Sequence, residues 1–136
     1  MVVKNKVSLI DTNIVIRYLL GEAGDIGVRA KELFDQVQVG GLKAIVTESV
    51  LAECVYILDK VYKVPKLSLA ENLSGILQYK GIVNEDKHPL VSALQLFSRT
   101  KLDFVDCILS EKAKFYELDL VTFDKELIKI HAKKHN

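Results

Sequence analysis

Acidic side chains follow two apolar segments of this sequence at the point where each segment ends. Asp11 comes directly after Leu9-Ile10, and Asp124 follows the apolar segment 118–121 with two residues between. If both segments are strands of a parallel sheet, both carboxylates emerge at the same edge, where open α/β sheets bind ligands. The alternative is that each aspartate only caps the helix that follows it. Two such acids together favour a functional site over two separate caps.

Further acids lie on predicted helices. Asp103 and Asp106 share one face of the first turn of a helix, because residues three apart are neighbours on a helix surface. Helix capping explains Asp103, whereas Asp106 lies inside the apolar segment 104–109 and there requires either solvent or a partner. Glu53 lies at the boundary of the apolar stripe of an earlier helix, which permits an inward-facing carboxylate without demanding one. Glu48, in the first turn of that helix, is explained by the helix macrodipole.

The chemistry of such acids depends on whether they share one site. Three or four carboxylates at one sheet edge repel one another unless a cation joins them. Oxygen ligands without His or Cys suit Mg²⁺ or Mn²⁺, which bind a few carboxylates together with waters and substrate phosphate oxygens. Sites of this kind displace phosphoryl or phosphodiester groups, with the ion activating water and stabilising the leaving oxygen. The acids therefore predict a Mg²⁺ or Mn²⁺ site that acts on phosphate esters.

The elements that position these acids are short strands that alternate with helices. Strands are predicted at 6–10, 44–46 and 118–121, and residues 82–83 could add a very short one. Apolar and polar residues alternate little along the first strand, which predicts that the strand is covered on both faces. Helices are predicted at 13–20, 27–39, 48–62, 65–79, 89–98, 103–116 and 124–131. This alternation predicts an α/β sandwich with a mainly parallel sheet.

The composition is that of one globular domain. The chain has 136 residues, of which 49% are hydrophobic, and its formal net charge of +1 neither favours nor excludes a nucleic-acid partner. No hydrophobic run approaches the roughly 18 residues of a membrane span, and the N-terminus lacks the features of a signal peptide. Two cysteines, Cys54 and Cys107, are too few for a disulfide scaffold. The cytoplasm is therefore the expected compartment.

Four short strings that contain these acids resemble the motifs of the PIN-domain ribonucleases, especially the VapC-type toxins of toxin–antitoxin pairs. The strings are Leu9-Ile10-Asp11-Thr12-Asn13, Val50-Leu51-Ala52-Glu53, Leu102-Asp103-Phe104-Val105-Asp106 and Leu120-Val121-Thr122-Phe123-Asp124. Each string alone is a weak signal. All four in this order, at these separations and across nearly the whole chain, are specific to the family.

The resemblance implies a three-layer α/β/α PIN-like fold in a single nuclease domain, residues 1–136, and the cleavage of single-stranded RNA. It implies that a quartet of acids is catalytic and binds Mg²⁺ or Mn²⁺: Asp11, Glu53, Asp106 and Asp124. The supporting residues that match the same motifs are Asn13, Asp103 and Thr122. The resemblance also implies an antitoxin protein whose tail fills the groove, and a homodimer.

An RNA substrate also requires basic side chains near the acids. Arg17, Arg99, Lys101 and Lys125 lie close to the acids in sequence and are candidates for contact with the phosphate backbone. The C-terminal residues 125–136 add further lysines, namely Lys129, Lys133 and Lys134. A solvated face explains most of these lysines equally well, so both interpretations stay open.

Other functions of α/β domains fit less well. A receiver domain needs a phospho-accepting aspartate after its third strand and a lysine after its fifth, and no lysine fits cleanly after the last predicted strand. A haloacid-dehalogenase phosphatase needs a second aspartate at position 13. Asn13 stands there, so the acid that protonates the leaving group is missing. Two alternatives stay open: a housekeeping RNA-processing nuclease, and a non-catalytic α/β domain that binds RNA or protein.

Overall fold

The computed structural model describes residues 6–133, and the predictions for Lys134 and for the two ends of the chain lie outside this range. Within it, the chain is an α/β protein built from two short strands and seven α-helices. None of these helices is both long and apolar enough to cross a membrane. The prediction of an α/β fold with a short parallel sheet is confirmed.

The sheet has a central strand and one edge strand in the described residues. Strand β1, Val7–Leu9, pairs in parallel with strand β2, Lys43–Ile45, with Ser8 opposite Ala44 in the register. Ile82 forms an isolated parallel bridge to Ala44 from the other side of β2. β2 is therefore central, and β1 lies at an edge.

Seven α-helices account for most of the described residues, and every predicted boundary except the end of α3 agrees with the structure to within two residues. In chain order the helices are α1 Thr12–Leu20, α2 Asp25–Val39, α3 Glu48–Tyr56, α4 Lys66–Leu77, α5 Lys87–Arg99, α6 Phe104–Phe115 and α7 Lys125–Ala132. A π-helical turn, Ile57–Val61, prolongs α3 to about the predicted end of that helix.

Local sequence signals set where these helices begin and end. Thr47 caps α3 through its hydroxyl, which accepts the Val50 N–H at 3.3 Å. Gly21 and Gly40 follow α1 and α2 in the left-handed conformation, which glycine adopts without steric cost. Pro65 directly precedes α4, where its fixed φ favours the start of a helix. Each of these boundaries has its cause within a few residues.

The prediction of a last strand at 118–121 is wrong. These residues form no strand in the described part of the chain, and Leu118 and Val121 are 62% and 86% exposed. α6 ends in a turn in which Glu117 has a φ of 55° and the Leu118 N–H donates to Ala113 O. This turn leads the segment over the surface without a neighbouring strand, and a strand requires such a neighbour.

The prediction that the first strand is covered on both faces is also wrong. Leu9 is 73% exposed and Val7 is 40% exposed. An open cleft, rather than a packed helix, lies between Leu9 and residues of α2. Within residues 6–133, β1 also has no strand on its outer side, so it lacks the cover of a central strand. The short strand expected at 82–83 is reduced to the bridge at Ile82.

Helix α3 connects the helices that carry the predicted acids, because it packs against both α1 and α6. It buries Leu51, Cys54 and Val55, and α6 buries Cys107 and Ile108 among other residues. Complete burial of a large aliphatic side chain stabilises the fold by about 1.5–3 kcal/mol. The positions of α1, α3 and α6 are therefore fixed by a shared apolar core.

Asn84 holds the carboxyl end of β2, and its replacement is expected to destabilise the fold. Its Oδ1 accepts the Val46 N–H at 3.1 Å, and its Nδ2 donates to Val46 O at 2.7 Å and to Asp86 Oδ1 at 3.1 Å. Asn84→Ala leaves buried backbone groups without partners, which costs about 2–3 kcal/mol. Urea unfolding followed by circular dichroism measures this loss, with the exposed Glu85→Ala as control. Equal stability of the two variants would contradict the prediction.

Candidate active site

Asp11 stands just past the carboxyl end of β1, as the sequence predicts. The backbone N–H of Ile10 donates to Ile45 O at 3.2 Å, so the ladder ends one residue before Asp11. Asp11 is the N-cap residue of α1, but its side chain makes no capping hydrogen bond and the residue is exposed. Asn13 is exposed in the first turn of the same helix. Capping therefore does not account for the Asp11 carboxylate.

Glu53 lies on the exposed side of α3, next to the buried Cys54. The pKa of the Cys54 thiol is raised to about 12, first by burial and then by the negative charges of Glu53 and Asp11. Both carboxylates therefore lie within electrostatic range of the same thiol. Burial likewise raises the pKa of Cys107 to about 12. Both thiols are buried, and thiols with such a pKa stay protonated near neutral pH.

Asp106 lies in a second group of acids at the start of α6. It is half-buried, and its pKa is raised by burial and then by the charges of Asp103 and Asp124. Neighbouring carboxylates raise one another's pKa because each additional negative charge is harder to form. Asp103 is the N-cap residue of α6, but its side chain makes no capping hydrogen bond. The capping role expected of Asp103 is therefore wrong, and its carboxylate lies within electrostatic range of Asp106.

Asp124 has a structural role in addition to its place beside Asp106. One of its carboxylate oxygens, Oδ1, accepts the Leu127 N–H at 2.8 Å and so caps α7. The hydroxyl oxygen of Thr122 accepts the Asp124 N–H at 3.1 Å, which fixes the backbone in front of the helix. A carboxylate has two oxygens, so a cap at Oδ1 leaves the second oxygen able to bind a ligand.

Two groups of the predicted acids lie within electrostatic range of a common residue. Asp11 and Glu53 lie near Cys54, and Asp106 lies with Asp103 and Asp124. Among residues 6–133, no three His, Cys, Asp or Glu side chains stand close enough to hold one metal ion. Residues 118–121 lie outside the sheet of the described residues, so Asp124 is positioned by the start of α7 rather than by a strand.

Glu48 forms an ion pair with a lysine that no sequence pattern predicts as its partner. Lys112 Nζ, on α6, lies 2.5 Å from Glu48 Oε1 and 3.1 Å from Asp86 Oδ2. These ion pairs connect α6 with the starts of α3 and α5. A structural ion pair thus accounts for Glu48, which favours Glu53 as the functional acid of α3. The pairing joins helices far apart in the chain, so helical spacing contains no sign of it.

The predicted RNA-contact residues differ in their surroundings. Arg17 Nη1 pairs with Glu22 Oε2 at 2.6 Å, so a neighbouring carboxylate offsets its charge. Lys125 is exposed at the start of α7. Arg99 and Lys101 line a cleft between the end of α5 and α7. Of the four residues, Arg99 and Lys101 thus share one concave surface.

Another cleft opens beside Asp11. It has a volume of about 860 Å³ and is lined by residues of β1, α1 and α2, with the start of β2 at one end. Leu9 and Leu33 contribute to an apolar wall, and Arg29 and Glu32 add charged groups. This volume falls within the range of ligand sites, about 300–1,000 Å³. The uncapped Asp11 therefore borders a concave surface large enough for a ligand.

The candidate carboxylates thus lie behind β1, within α3 and at the starts of α6 and α7. The family model described as PIN domain matches residues 8–133, and the chain therefore belongs to the PIN-domain family. Its sequence is 29% identical over 130 residues to a VapC ribonuclease of Aquifex aeolicus (strain VF5), covering 94% of this chain and 95% of that protein. No solved structure matches the chain significantly. The resemblance found in the four sequence strings is confirmed.

Proposed function

We propose that this protein is an endoribonuclease that hydrolyses phosphodiester bonds of single-stranded RNA with Mg²⁺ or Mn²⁺. Membership in the PIN-domain family and similarity to a VapC ribonuclease support a nuclease. The observation that carries the metal dependence is the half-buried Asp106, whose pKa is raised by burial and by the nearby Asp103 and Asp124. Carboxylates that repel one another in this way are stabilised by a hard cation.

The donor chemistry of the proposed ligands fits such a cation. Asp11, Glu53, Asp106 and Asp124 offer only carboxylate oxygens, which Mg²⁺ and Mn²⁺ prefer. When bound, the ion would activate water and stabilise the leaving oxygen. Asp11 and Glu53 lie within electrostatic range of Cys54, and Asp124 lies within electrostatic range of Asp106.

The chain's own side chains have distinct proposed roles around these ligands. Asn13 lies beside Asp11, where its amide can donate a hydrogen bond to a phosphate oxygen. Thr122 fixes the backbone of Asp124, and Asp103 keeps negative charge next to Asp106. Contacts with the RNA backbone are proposed for the basic residues Arg17, Arg99, Lys101 and Lys125.

The similarity to a VapC ribonuclease also supports the proposal that the chain is the toxin of a toxin–antitoxin pair. Its partner would then be an antitoxin protein. The homodimer, the cytoplasmic location and the single domain over residues 1–136 stay predictions. The neighbouring reading frame tests the toxin role: a short upstream gene for a DNA-binding protein supports it. A solitary gene favours the housekeeping nuclease.

Cleavage of single-stranded RNA is expected to require a divalent ion and to leave 5′-phosphate and 3′-hydroxyl ends. Water attacks the phosphorus, the bond to the 3′-oxygen breaks, and that oxygen leaves as a hydroxyl after gaining a proton. A labelled RNA is incubated with Mn²⁺, Mg²⁺ or EDTA, and the products are tested with a 5′-phosphate-dependent exonuclease and a ligase.

Three results would contradict this reaction, each in a different way. Products with 2′,3′-cyclic phosphate ends would show attack by the RNA's own hydroxyl. Cleavage that persists undiminished in EDTA would remove the need for a divalent ion. RNA binding without cleavage under any metal condition would favour the non-catalytic domain.

A further inference from the structure

A polar cleft lies between the end of α5 and helix α7, beside the residues that begin α6. It has a volume of about 560 Å³ and is lined by the cations Arg99, Lys101 and Lys133 and by one carboxylate, Glu126. The buried side chains of Leu96 and Ile130 also line it. Even without Arg99, Lys101 and Lys133 against Glu126 give the cleft a net positive charge, which attracts an anion.

Hydrogen bonds hold the loop that carries Lys101. The Thr100 hydroxyl donates to Leu96 O at 2.9 Å and accepts the Leu102 N–H at 3.3 Å. Lys66 Nζ donates to Thr100 O at 3.1 Å. A cation on a fixed loop loses less conformational entropy when it binds a ligand than one on a mobile loop. The loop that carries Lys101 is therefore held in place before an anion binds.

Chain connectivity places this cleft next to the second group of acids. Lys101 precedes Asp103 by two residues, and Glu126 follows Asp124 by two residues. Two residues of an extended chain span at most about 7 Å, so the backbone of the cleft and that of the acids are this close. Neighbouring phosphates of a single RNA strand have a comparable separation. One strand can therefore reach the acids and the cleft together.

We propose that this cleft binds one backbone phosphate of the RNA, within about two nucleotides of the bond that is cleaved. Lys101 and Lys133, both exposed, provide the charge on the two sides of the cleft. The inference rests on the proposed function, because cleavage at the acids is what brings a neighbouring phosphate to the cleft.

The positions of these cations also have a purely structural explanation. Arg99 and Lys133 lie at the ends of α5 and α7, where positive charge stabilises the helix macrodipole. That role affects the melting temperature alone and cannot distinguish one phosphate of an RNA strand from another. A position-dependent measurement on the RNA therefore separates the two explanations.

The first experiment measures RNA binding to the full chain with Asp11→Asn added to prevent cleavage. Lys101→Gln/Lys133→Gln is compared with Lys43→Gln/Lys80→Gln, which removes the same charge at the amino ends of β2 and of the Ile82 segment. Fluorescence anisotropy with a single-stranded RNA is recorded over a range of salt concentrations. The cleft variant is expected to bind about tenfold more weakly and to lose about 0.7 from the salt slope, the value for one phosphate of a single strand. The control is expected to keep both values.

The second experiment locates the phosphate along the strand. RNAs that each carry one neutral methylphosphonate are bound to the protein with an intact cleft and to Lys101→Gln/Lys133→Gln. A methylphosphonate at one position near the cleaved bond is expected to weaken binding to the protein with the intact cleft by about tenfold. The same methylphosphonate is expected to have no further effect on binding to the variant. Equal losses in both proteins, or a loss spread evenly over all positions, would overturn the inference. If the double variant does not fold, the same binding measurements are made with Lys101→Gln alone.

RNA cleavage by the wild-type protein is measured in parallel. If the wild type cleaves RNA and the cleft variant keeps its affinity, salt slope and methylphosphonate profile, the cleft is not a phosphate site and the proposed function stands. If the wild type neither cleaves nor binds RNA, the proposed function itself is overturned, and the cleft inference with it.

Discussion

Asp106→Asn is expected to lower the rate of RNA cleavage about 100-fold or more. The loss of one carboxylate ligand removes several kcal/mol of transition-state stabilisation, and about 1.4 kcal/mol corresponds to a factor of ten. Asp106 is half-buried and electrostatically coupled to Asp103 and Asp124, so an amide cannot replace its charge. Initial rates on one single-stranded RNA, at saturating Mn²⁺, measure the effect. The same loss is expected for the other proposed ligands in Asp11→Asn, Glu53→Gln and Asp124→Asn.

Two acids on α3 and on the turn after it provide matched controls. Glu48 Oε1 lies 2.5 Å from Lys112 Nζ, and Asp59 Oδ2 lies 3.6 Å from Lys60 Nζ. Partly exposed pairs of this kind contribute about 0–1 kcal/mol to stability, so Glu48→Gln and Asp59→Asn are expected to keep cleavage within about threefold of the wild type. If Glu48→Gln lowers the cleavage rate as much as Glu53→Gln does, the choice of Glu53 as the functional acid of α3 is wrong.

Asp124 requires a variant that separates its capping role from catalysis. Asparagine at this position can still accept the Leu127 N–H, so Asp124→Asn is expected to keep the cap of α7 and the melting temperature while cleavage is lost. Asp124→Ala removes the cap as well and is expected to cost about 1 kcal/mol of stability. Equal melting temperatures for the two variants would show that the cap contributes nothing.

The helices of this protein were predictable because their boundaries are encoded locally. Thr47, Pro65 and Gly40 each act within a few residues, through a cap, a fixed φ or a left-handed conformation. The strand expected at 118–121 failed because a strand is defined by a distant partner. The apolar composition of that segment contains no information on whether such a partner is in place.

The sequence indicates which acids are candidates for the site, but it does not contain the contacts between the helices that carry them. The position of Asp11 behind β1 agrees with the sequence prediction because residues 7–9 do find a partner strand in β2. The coupling of Asp106 to Asp124, and the engagement of Glu48 by Lys112, depend on how distant helices pack. Periodicity along one helix can show which side of it is polar. It cannot show which other helix supplies the partner.

Mn²⁺ or Mg²⁺ is expected to raise the melting temperature of the wild-type protein. An ion that binds only the folded state stabilises it by RT ln(1 + [M]/Kd), which is about 2.7 kcal/mol at 100 times the Kd. In a domain of this size that corresponds to a rise of about 8–10 °C. Differential scanning fluorimetry with EDTA and with increasing Mn²⁺ measures it. An unchanged melting temperature at all concentrations would contradict metal binding by the acids.

Asp106→Asn is expected to raise the melting temperature in EDTA at pH 7 and to abolish the further rise with Mn²⁺. The pKa of Asp106 is raised above its ordinary value of 3.8 by burial and by Asp103 and Asp124, so the folded state binds its proton more tightly than the unfolded state. Its contribution to stability is therefore fully present below pH 3.8 and is lost as the pH rises through the folded pKa.

At pH 7 the ionised Asp106 is disfavoured in the folded state by its burial and by the negative charges of Asp103 and Asp124, and asparagine removes its charge. Relief of repulsion between partly exposed charges is worth a few tenths of a kcal/mol, or about 1–2 °C in melting temperature. Melting curves of wild type and Asp106→Asn at pH 7 and at pH 3.5, each with EDTA and with Mn²⁺, measure both effects. At pH 3.5 the carboxyl of Asp106 is largely protonated in the folded state, so the wild type and Asp106→Asn are expected to melt at the same temperature in EDTA. A variant that melts well below the wild type in EDTA at pH 7 would instead assign Asp106 a structural role at the start of α6, and the proposed metal site would lose its best support.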